Sequence, residues 1–407
     1  MSAAGASVYY GPVDILPGSE AIYRVRRLQQ WLRESSVDAV FILQNADLYY
    51  FSGTIQSGIL CIVRDGDPVY MVRKSLTRAR LECAWKRVIQ LKRLEEIPTI
   101  LAAEGVGPLT KIGLEMDVLP AAHYLKMRRI FSGVEFIDAS SIIRAVRMIK
   151  SRYEVDQIRN AALMLMRAWE NLPGWIRSGA TELEVLAEME RFLRMQGHQG
   201  IQRTRAFNCE VGYGAFSSGA DACIPTSFPG STGFIGLYPA ISNAGSQRRL
   251  APGEPLLVDV CGGYGGYLAD ATRTFAIQYL PSDMLEAHKW VLELNREIES
   301  MLKPGTECAG ICDYAFEKSE QSPYAGGFMG AGDNRMRYIG HGVGLELDEL
   351  PVLSSGNTQR IEKGMILAVE PKIFFPDRGG VGIENMYSIT DNGFEKLTPF
   401  PEDIIYC

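Results

Sequence analysis

LLVDVCGGYGGYLADATRTFAI, residues 256–277, is a run of β-formers interrupted by two aspartates. Leu256–Val260 reads as a buried strand but for Asp259; a glycine-rich turn follows, and Asp270 stands just before a second strand, Arg273–Ile277. An isolated Asp ordinarily caps a turn or ends a strand. Asp259, however, is flanked by Leu256, Leu257, Val258 and Val260, where a lone ionised carboxylate is costly unless it is paired or holds a cation.

The same anomaly recurs downstream. In GMILAVEPKIFF (364–375) Glu370 ends an apolar strand before a proline, and in GGVGIENMYSIT (379–390) Glu384 lies inside another strand. IGHGVGLELDELP (339–351) sets His341, one of only 4 histidines, among Gly340, Gly342 and Gly344, with Glu346, Asp348 and Glu349 close behind. Four acids in apolar strands beside a glycine-walled imidazole repel one another unless a divalent metal sits among them. Such an oxygen-rich set suits manganese, iron, cobalt or zinc. Carboxylates that bridge make it apt for two ions. His341 is then expected to be a ligand whose glycines let backbone and substrate come close.

The bulk properties are those expected of a soluble globular protein. At 407 residues two domains are expected, and 46% hydrophobic with 22% charged residues is ordinary for a globular protein. A net charge of −6 and the lack of a polybasic block argue against nucleic acid or an anionic membrane as partner. No apolar run approaches the ~18–20 residues of a membrane helix. The first twenty residues lack the basic and apolar regions of a signal peptide. The 8 cysteines are scattered without a CxxC pair, which suits reduced thiols in the cytoplasm.

Along the chain, residues 1–16 read as a tail and 17–150 as an α/β domain. Within the latter, a helix over 19–36 carries Ile22, Val25, Leu28, Trp31 and Leu32 at helical spacing. Strands follow at 37–43, in a hairpin over 58–74 turned by Asp65-Gly66-Asp67-Pro68, and at 88–91, 111–116 and 134–139. Residues 151–407 read as a second, α+β domain. It opens with helices starting near Ser151 and Thr181, the latter with a capping-box pattern, and becomes rich in strands and glycine from about 203. A helical hairpin, 282–302 and 307–320, interrupts the strands.

Together, the Asp259–Asp270 pair in VDVCGGYGGYLADATRTF, GHGVGL around His341, AVEP around Glu370 and IEN around Glu384 resemble metallopeptidase family M24. That family contains methionine aminopeptidase, prolidase, Xaa-Pro aminopeptidase and creatinase, and its fold is called pita-bread. The junction MIKSRYEVDQIRNA and the preceding α/β domain resemble the two-domain prolidase and creatinase branch. The resemblance implies an α+β fold: a pita-bread domain preceded by a smaller creatinase-type α/β domain. It implies that Asp259 chelates one metal, that Asp270 and Glu384 bridge two, and that His341 and Glu370 hold the other. Glu370 would also shuttle the proton of the attacking water. Two divalent ions are expected, manganese first, with cobalt, zinc or iron as alternatives. A homodimer is implied as well.

Three positions depart from the family pattern. A second histidine, in GLxxHExP, is here Asp348 in GLELDELP, which makes Asp348 a catalytic candidate. A histidine upstream of the first Asp falls at Ser242 or Asn243, and an arginine before the last Glu is Gly382. In the family those histidines hydrogen-bond the scissile carbonyl and the tetrahedral intermediate, and loss of such donors costs orders of magnitude in rate. Tyr238, Ser242 and Asn243 in FPGSTGFIGLYPAISNAG (228–245), with Tyr267, are candidate substrate contacts. The leading expectation is a metal-dependent hydrolase resembling Xaa-Pro aminopeptidase or dipeptidase, acting on a small peptide or amide. The alternative is a non-peptidase enzyme on the same fold, a creatinase-type C–N hydrolase or a lyase. A scaffold without activity is the third reading, and the retention of all five ligand residues argues against it.

Overall fold

The computed structural model describes residues 15–242 and 244–407. Most of the expected tail (1–14) and Asn243 lie outside the described residues. The chain divides into two compact units, Met1–Val146 and Arg147–Cys407.

The first unit is built on one mixed sheet. Its strands are Ala39–Ile42 (β1), Gly58–Val63 (β2), Val69–Val72 (β3), Val88–Gln90 (β4), Lys111–Leu114 (β5) and Glu135–Asp138 (β6), in the order β4-β3-β2-β1-β5-β6. β1, β2 and β3 pair antiparallel, whereas β5 is parallel to β1. The central strands AVFI and VYMV are buried at every position, as continuous apolar runs covered on both faces should be. Helix Gly18–Glu34 buries Ala21, Val25, Leu28 and Leu32, one stripe at helical spacing, while Ile22 points outward at 40% exposure. Arg24 is buried on that stripe because Glu20 (2.8 Å) and the Tyr50 carbonyl (2.9 Å) satisfy its guanidinium.

The second unit opens with two capped helices. Ser151 Oγ accepts from Glu154 N, and the Glu154 carboxylate accepts from Ser151 N, at the head of Arg152–Asn171; Thr181 and Glu184 repeat this at Glu182–Met195. Gly214–Ser218 (β7), Pro255–Tyr264 (β8) and Tyr267–Ala276 (β9) form a sheet that the terminal Ile405–Tyr406 (β17) extends, in the order β17-β9-β8-β7. Tyr338–Gly342 (β10), Glu349–Ser354 (β11), Ile366–Val369 (β12), Asn385–Ile389 (β15) and Phe394–Lys396 (β16) form a second sheet, β11-β10-β12-β15-β16. Lys372–Phe375 (β13) and Gly379–Gly382 (β14) make a ribbon between β12 and β15 in the chain.

Helices cover the outer faces. The 152–171 and 182–195 pair packs Leu165, Trp169 and Leu186 against Val258, Val260, Ala271 and Phe275. Helices Ser282–Met301 and Cys308–Glu320 pack Val291, Ile298 and Ile311 against Ile339, Leu353, Leu367 and Val369. Alternation along the strands then sends the remaining side chains, the acids among them, to the inner faces. No helix of the described residues is long and apolar enough to cross a membrane.

Candidate metal centre

The β8–β9 hairpin turns on Gly265 (φ 59°) and Gly266 (φ 90°), two consecutive left-handed residues that match the twist of the strands they join. The turn fixes the register: Cys261 faces Asp270 across the strands, and Asp259 faces Thr272. Val258 and Val260 point to the helices, so Asp259 and Cys261 point inward, and Asp270 and Thr272 share that face. The eleven-residue offset in the sequence thus becomes a diagonal pair of carboxylates on one surface.

Glu370 and Glu384 are brought together in the same way. Val369 pairs with Asn385 and Lys372 with Gly382, a register that runs through both ladders and sets Glu370 opposite Glu384. His341 lies on β10, held between β11 and β12. A Cβ on Gly340 would meet the Ala368 carbonyl at 2.1 Å and one on Gly342 the Leu350 carbonyl at 2.2 Å. The glycines flanking His341 are therefore the condition for close strand packing around it.

The donor atoms form two trios, each within 4.8 Å: Asp270, His341 and Glu384, and Asp259, Glu370 and Glu384. His341 Nδ1 lies 3.0 Å from the Gly342 carbonyl, an acceptor, which puts the proton on Nδ1 and turns the Nε2 lone pair inward. Nε2 is 3.9 Å from both Asp270 Oδ2 and Glu384 Oε1. Glu384 Oε1 is buried and has no hydrogen-bond partner. An orphaned buried carboxylate oxygen beside an imidazole lone pair fits a divalent cation.

The second trio differs, because a lysine stands in it. Lys372 Nζ donates to Glu370 Oε2 at 2.6 Å and to Asp259 Oδ2 at 2.9 Å, and lies 3.7 Å from Glu384 Oε2. Its side chain is wholly buried. Burial disfavours the charge, but Asp259, Glu370 and Glu384 outweigh it and hold the ammonium well above the usual lysine range. Burial first, and then Asp259 and Glu370, push Asp270 well above the usual carboxylate range; burial and then Asp270 do the same to Glu384. Thr272 Oγ1 donates to Glu384 Oε2 (2.9 Å), and Cys261 Sγ to Asp270 Oδ1 (3.3 Å).

Sequence reasoning missed Lys372, although the signal was present. Two residues past Glu370 in extended chain, it must share that residue's face. Thr272 and Cys261 were legible by the same rule.

The three acids after His341 are not in either trio. Glu346 pairs with Arg147 (2.7 Å) and Arg205 (3.7 Å), and Glu349 with Arg147 and Lys150 (3.1 Å), all buried. Burial raises Glu349, but Arg147 and Lys150 prevail and hold its carboxyl at about 2. The Asp348 carboxylate accepts the backbone N–H groups of Arg205 (2.8 Å) and Ala206 (3.2 Å) at the wall of the cavity.

That cavity, about 220 Å³, is lined by Asp259, Asp270, His341, Glu370 and Glu384 together with apolar Val211, Phe228, Pro229 and Leu347. Three of the four candidate substrate contacts are described, and none lines it. Tyr238 is 65% exposed. The Ser242 carbonyl accepts from Thr226 Oγ1 (2.7 Å). Tyr267 is buried with its hydroxyl 3.3 Å from Glu154 Oε1. Three residues before Asp270 on one strand, it projects from the opposite face.

Comparison with known proteins agrees with the fold. Residues 24–149 match the creatinase/prolidase N-terminal domain. The Xaa-Pro dipeptidase of Pyrococcus furiosus is 27% identical over 384 residues, covering 94% of this chain and 99% of that one. A putative dipeptidase of Bacillus subtilis, YkvY, is 25% identical over 391 residues, covering 94% and 99%. Among solved structures, an Xaa-Pro dipeptidase from Bacillus anthracis superposes with a TM-score of 0.80 at 24% identity over 95% of this chain and 100% of that one. An X-Pro aminopeptidase from Thermotoga maritima gives 0.78 at 24% over 94% and 100%, which shows the shared fold. Residues 156–391 match metallopeptidase family M24, and the chain belongs to that family.

Proposed function

We propose that this chain is a metal-dependent hydrolase of small peptides, acting on an Xaa-Pro bond next to a free amino terminus. The trio of Asp270, His341 and Glu384 carries this reading, with its orphaned Glu384 Oε1 and inward Nε2 opening onto a cavity of small-peptide size. The named relatives are dipeptidases, which supports peptide hydrolysis over the C–N hydrolase or lyase alternative.

A divalent ion held by that trio would polarise the scissile carbonyl and lower the pKa of the attacking water. The protein's own groups supply the rest. Lys372 fixes one oxygen of Glu370 and leaves the other to take the water proton and hand it to the departing nitrogen. The Asp348 carboxylate accepts from the backbone N–H groups of Arg205 and Ala206, so it serves by holding that backbone in place beside the cavity. Asp259, Asp270, Asp348, Glu370 and Glu384 line the cavity, so the acids stay in excess even with the Lys372 ammonium and one divalent ion among them, and no lysine or arginine of the described residues lines it. Charge complementarity therefore favours a substrate with a cationic amino end over one held by a free carboxylate. Manganese is the proposed metal. The proposed cytoplasmic setting is supported by eight unpaired cysteine thiols, and a homodimer by the two-domain branch that the chain resembles.

The test is turnover of Xaa-Pro dipeptides and Xaa-Pro-Xaa tripeptides by manganese-loaded protein, with Glu370→Gln as control. Cleavage of the tripeptides that disappears in the control is expected. Absence of cleavage of any Xaa-Pro peptide by metal-loaded, folded protein rejects the proposal.

A further inference from the structure

We infer that the Lys372 ammonium is a built-in cation filling the second donor trio, so that the centre holds one divalent ion, at Asp270, His341 and Glu384, and not two. The inference rests on the metal-dependent reading above and refines it.

The two trios share Glu384 but differ in what their oxygens already do. In the first, Glu384 Oε1 has no partner and His341 Nε2 faces it. In the second, Asp259 Oδ2 and Glu370 Oε2 each accept a charge-assisted bond from Lys372 Nζ, at 2.9 and 2.6 Å, and Glu384 Oε2 lies 3.7 Å away. A metal bound to these same oxygens would stand in contact with the ammonium. Two positive centres in contact there, in a buried setting, repel strongly. The carboxylate oxygens would also have to give up their bonds to nitrogen.

Lys372 has no ready alternative position. Its side chain is fully buried, and its Cγ fills the space over Gly382, where a Cβ would approach it to 2.5 Å. Gly382 is the cross-strand partner of Lys372, so the ribbon is shaped to seat a long side chain whose tip reaches the acids. Asp259 and Glu370 are then held by a group that cannot dissociate. Glu370, freed from a second ion, keeps one oxygen for proton transfer.

The decisive measurement is the metal content of the full chain after equilibration with manganese and removal of free ion, combined with electron paramagnetic resonance of the bound Mn(II). One ion per chain is expected, with the hyperfine pattern of an isolated Mn(II). Lys372→Met should take up a second ion and show spin coupling, and His341→Ala should lose the first. Two coupled ions in the wild-type chain overturn the inference while leaving the metal-dependent hydrolase intact. No bound ion in the wild-type chain overturns both. A folded Lys372→Met protein that still binds one ion shows that Lys372 is not what keeps the second out. The wild-type stoichiometry decides the matter even where the variant fails to fold.

Discussion

At Asp348 two backbone amides, of Arg205 and Ala206, converge on one carboxylate. Asp348→Ala leaves both without their acceptor, and loss of hydrogen bonds to a charged group costs about 1.5–3 kcal/mol. Urea denaturation should show a loss of that size, smaller for Asp348→Asn, whose amide oxygen still accepts. The same variant should raise KM more than it lowers kcat, since Thr204 and Ala206 line the cavity. A collapse of kcat alone at unchanged KM would instead place Asp348 in the chemistry. Read by charge alone, the sequence made Glu346, Asp348 and Glu349 look like one acidic group beside the ligand histidine. Their separate tasks depend on Arg147, Lys150 and Arg205, residues distant in sequence that no local pattern connects to them.

The hairpin of β8 and β9 is the element on which the centre hangs, because its turn sets which side chains face inward. Gly265 sits at φ 59° and Gly266 at φ 90°, and a side chain there costs about 1–2 kcal/mol per residue. Gly266→Ala should therefore lower stability by about 1 kcal/mol in denaturant titration while leaving the register and the metal content unchanged. A one-residue slip, by contrast, would turn Asp259 and Asp270 to the helix side and abolish metal binding altogether. The hairpin was legible in the sequence because its alternation, its paired glycines and its misplaced aspartates all point the same way. The candidate contacts were less so. Tyr267 was selected by nearness to Asp270 along the chain, whereas a three-residue offset in a strand puts it on the other face, against Glu154. Lys372 was passed over because only acids and histidines were counted, yet the same period of two that places Glu370 places Lys372 beside it.

Across the whole molecule, stability should depend on pH in two opposed ways. Glu349, ordinarily near 4.5, is held at about 2 by Arg147 and Lys150 against the effect of burial, so its contribution is full above 4.5 and disappears as pH falls through 2. His198 is lowered from 6.5 to about 4, first by burial, so the fold favours the neutral ring and loses stability between 6.5 and 4. Asp270 and Glu384 run the other way in the ion-free chain. Both are raised, so their contribution is present at low pH and is lost as pH rises and the crowded carboxylates ionise. At neutral pH these two are a cost that a divalent ion removes. Thermal unfolding with and without manganese should then show a gain at pH 7. For ligand at a hundred times its Kd the gain is about 2.7 kcal/mol. That corresponds to roughly 5–10 °C in a domain of this size. Near pH 4 the gain should nearly vanish, because protons occupy the carboxylates and displace the ion. An equal gain at both pH values would mean that the stabilising ion sits elsewhere than among Asp270, His341 and Glu384.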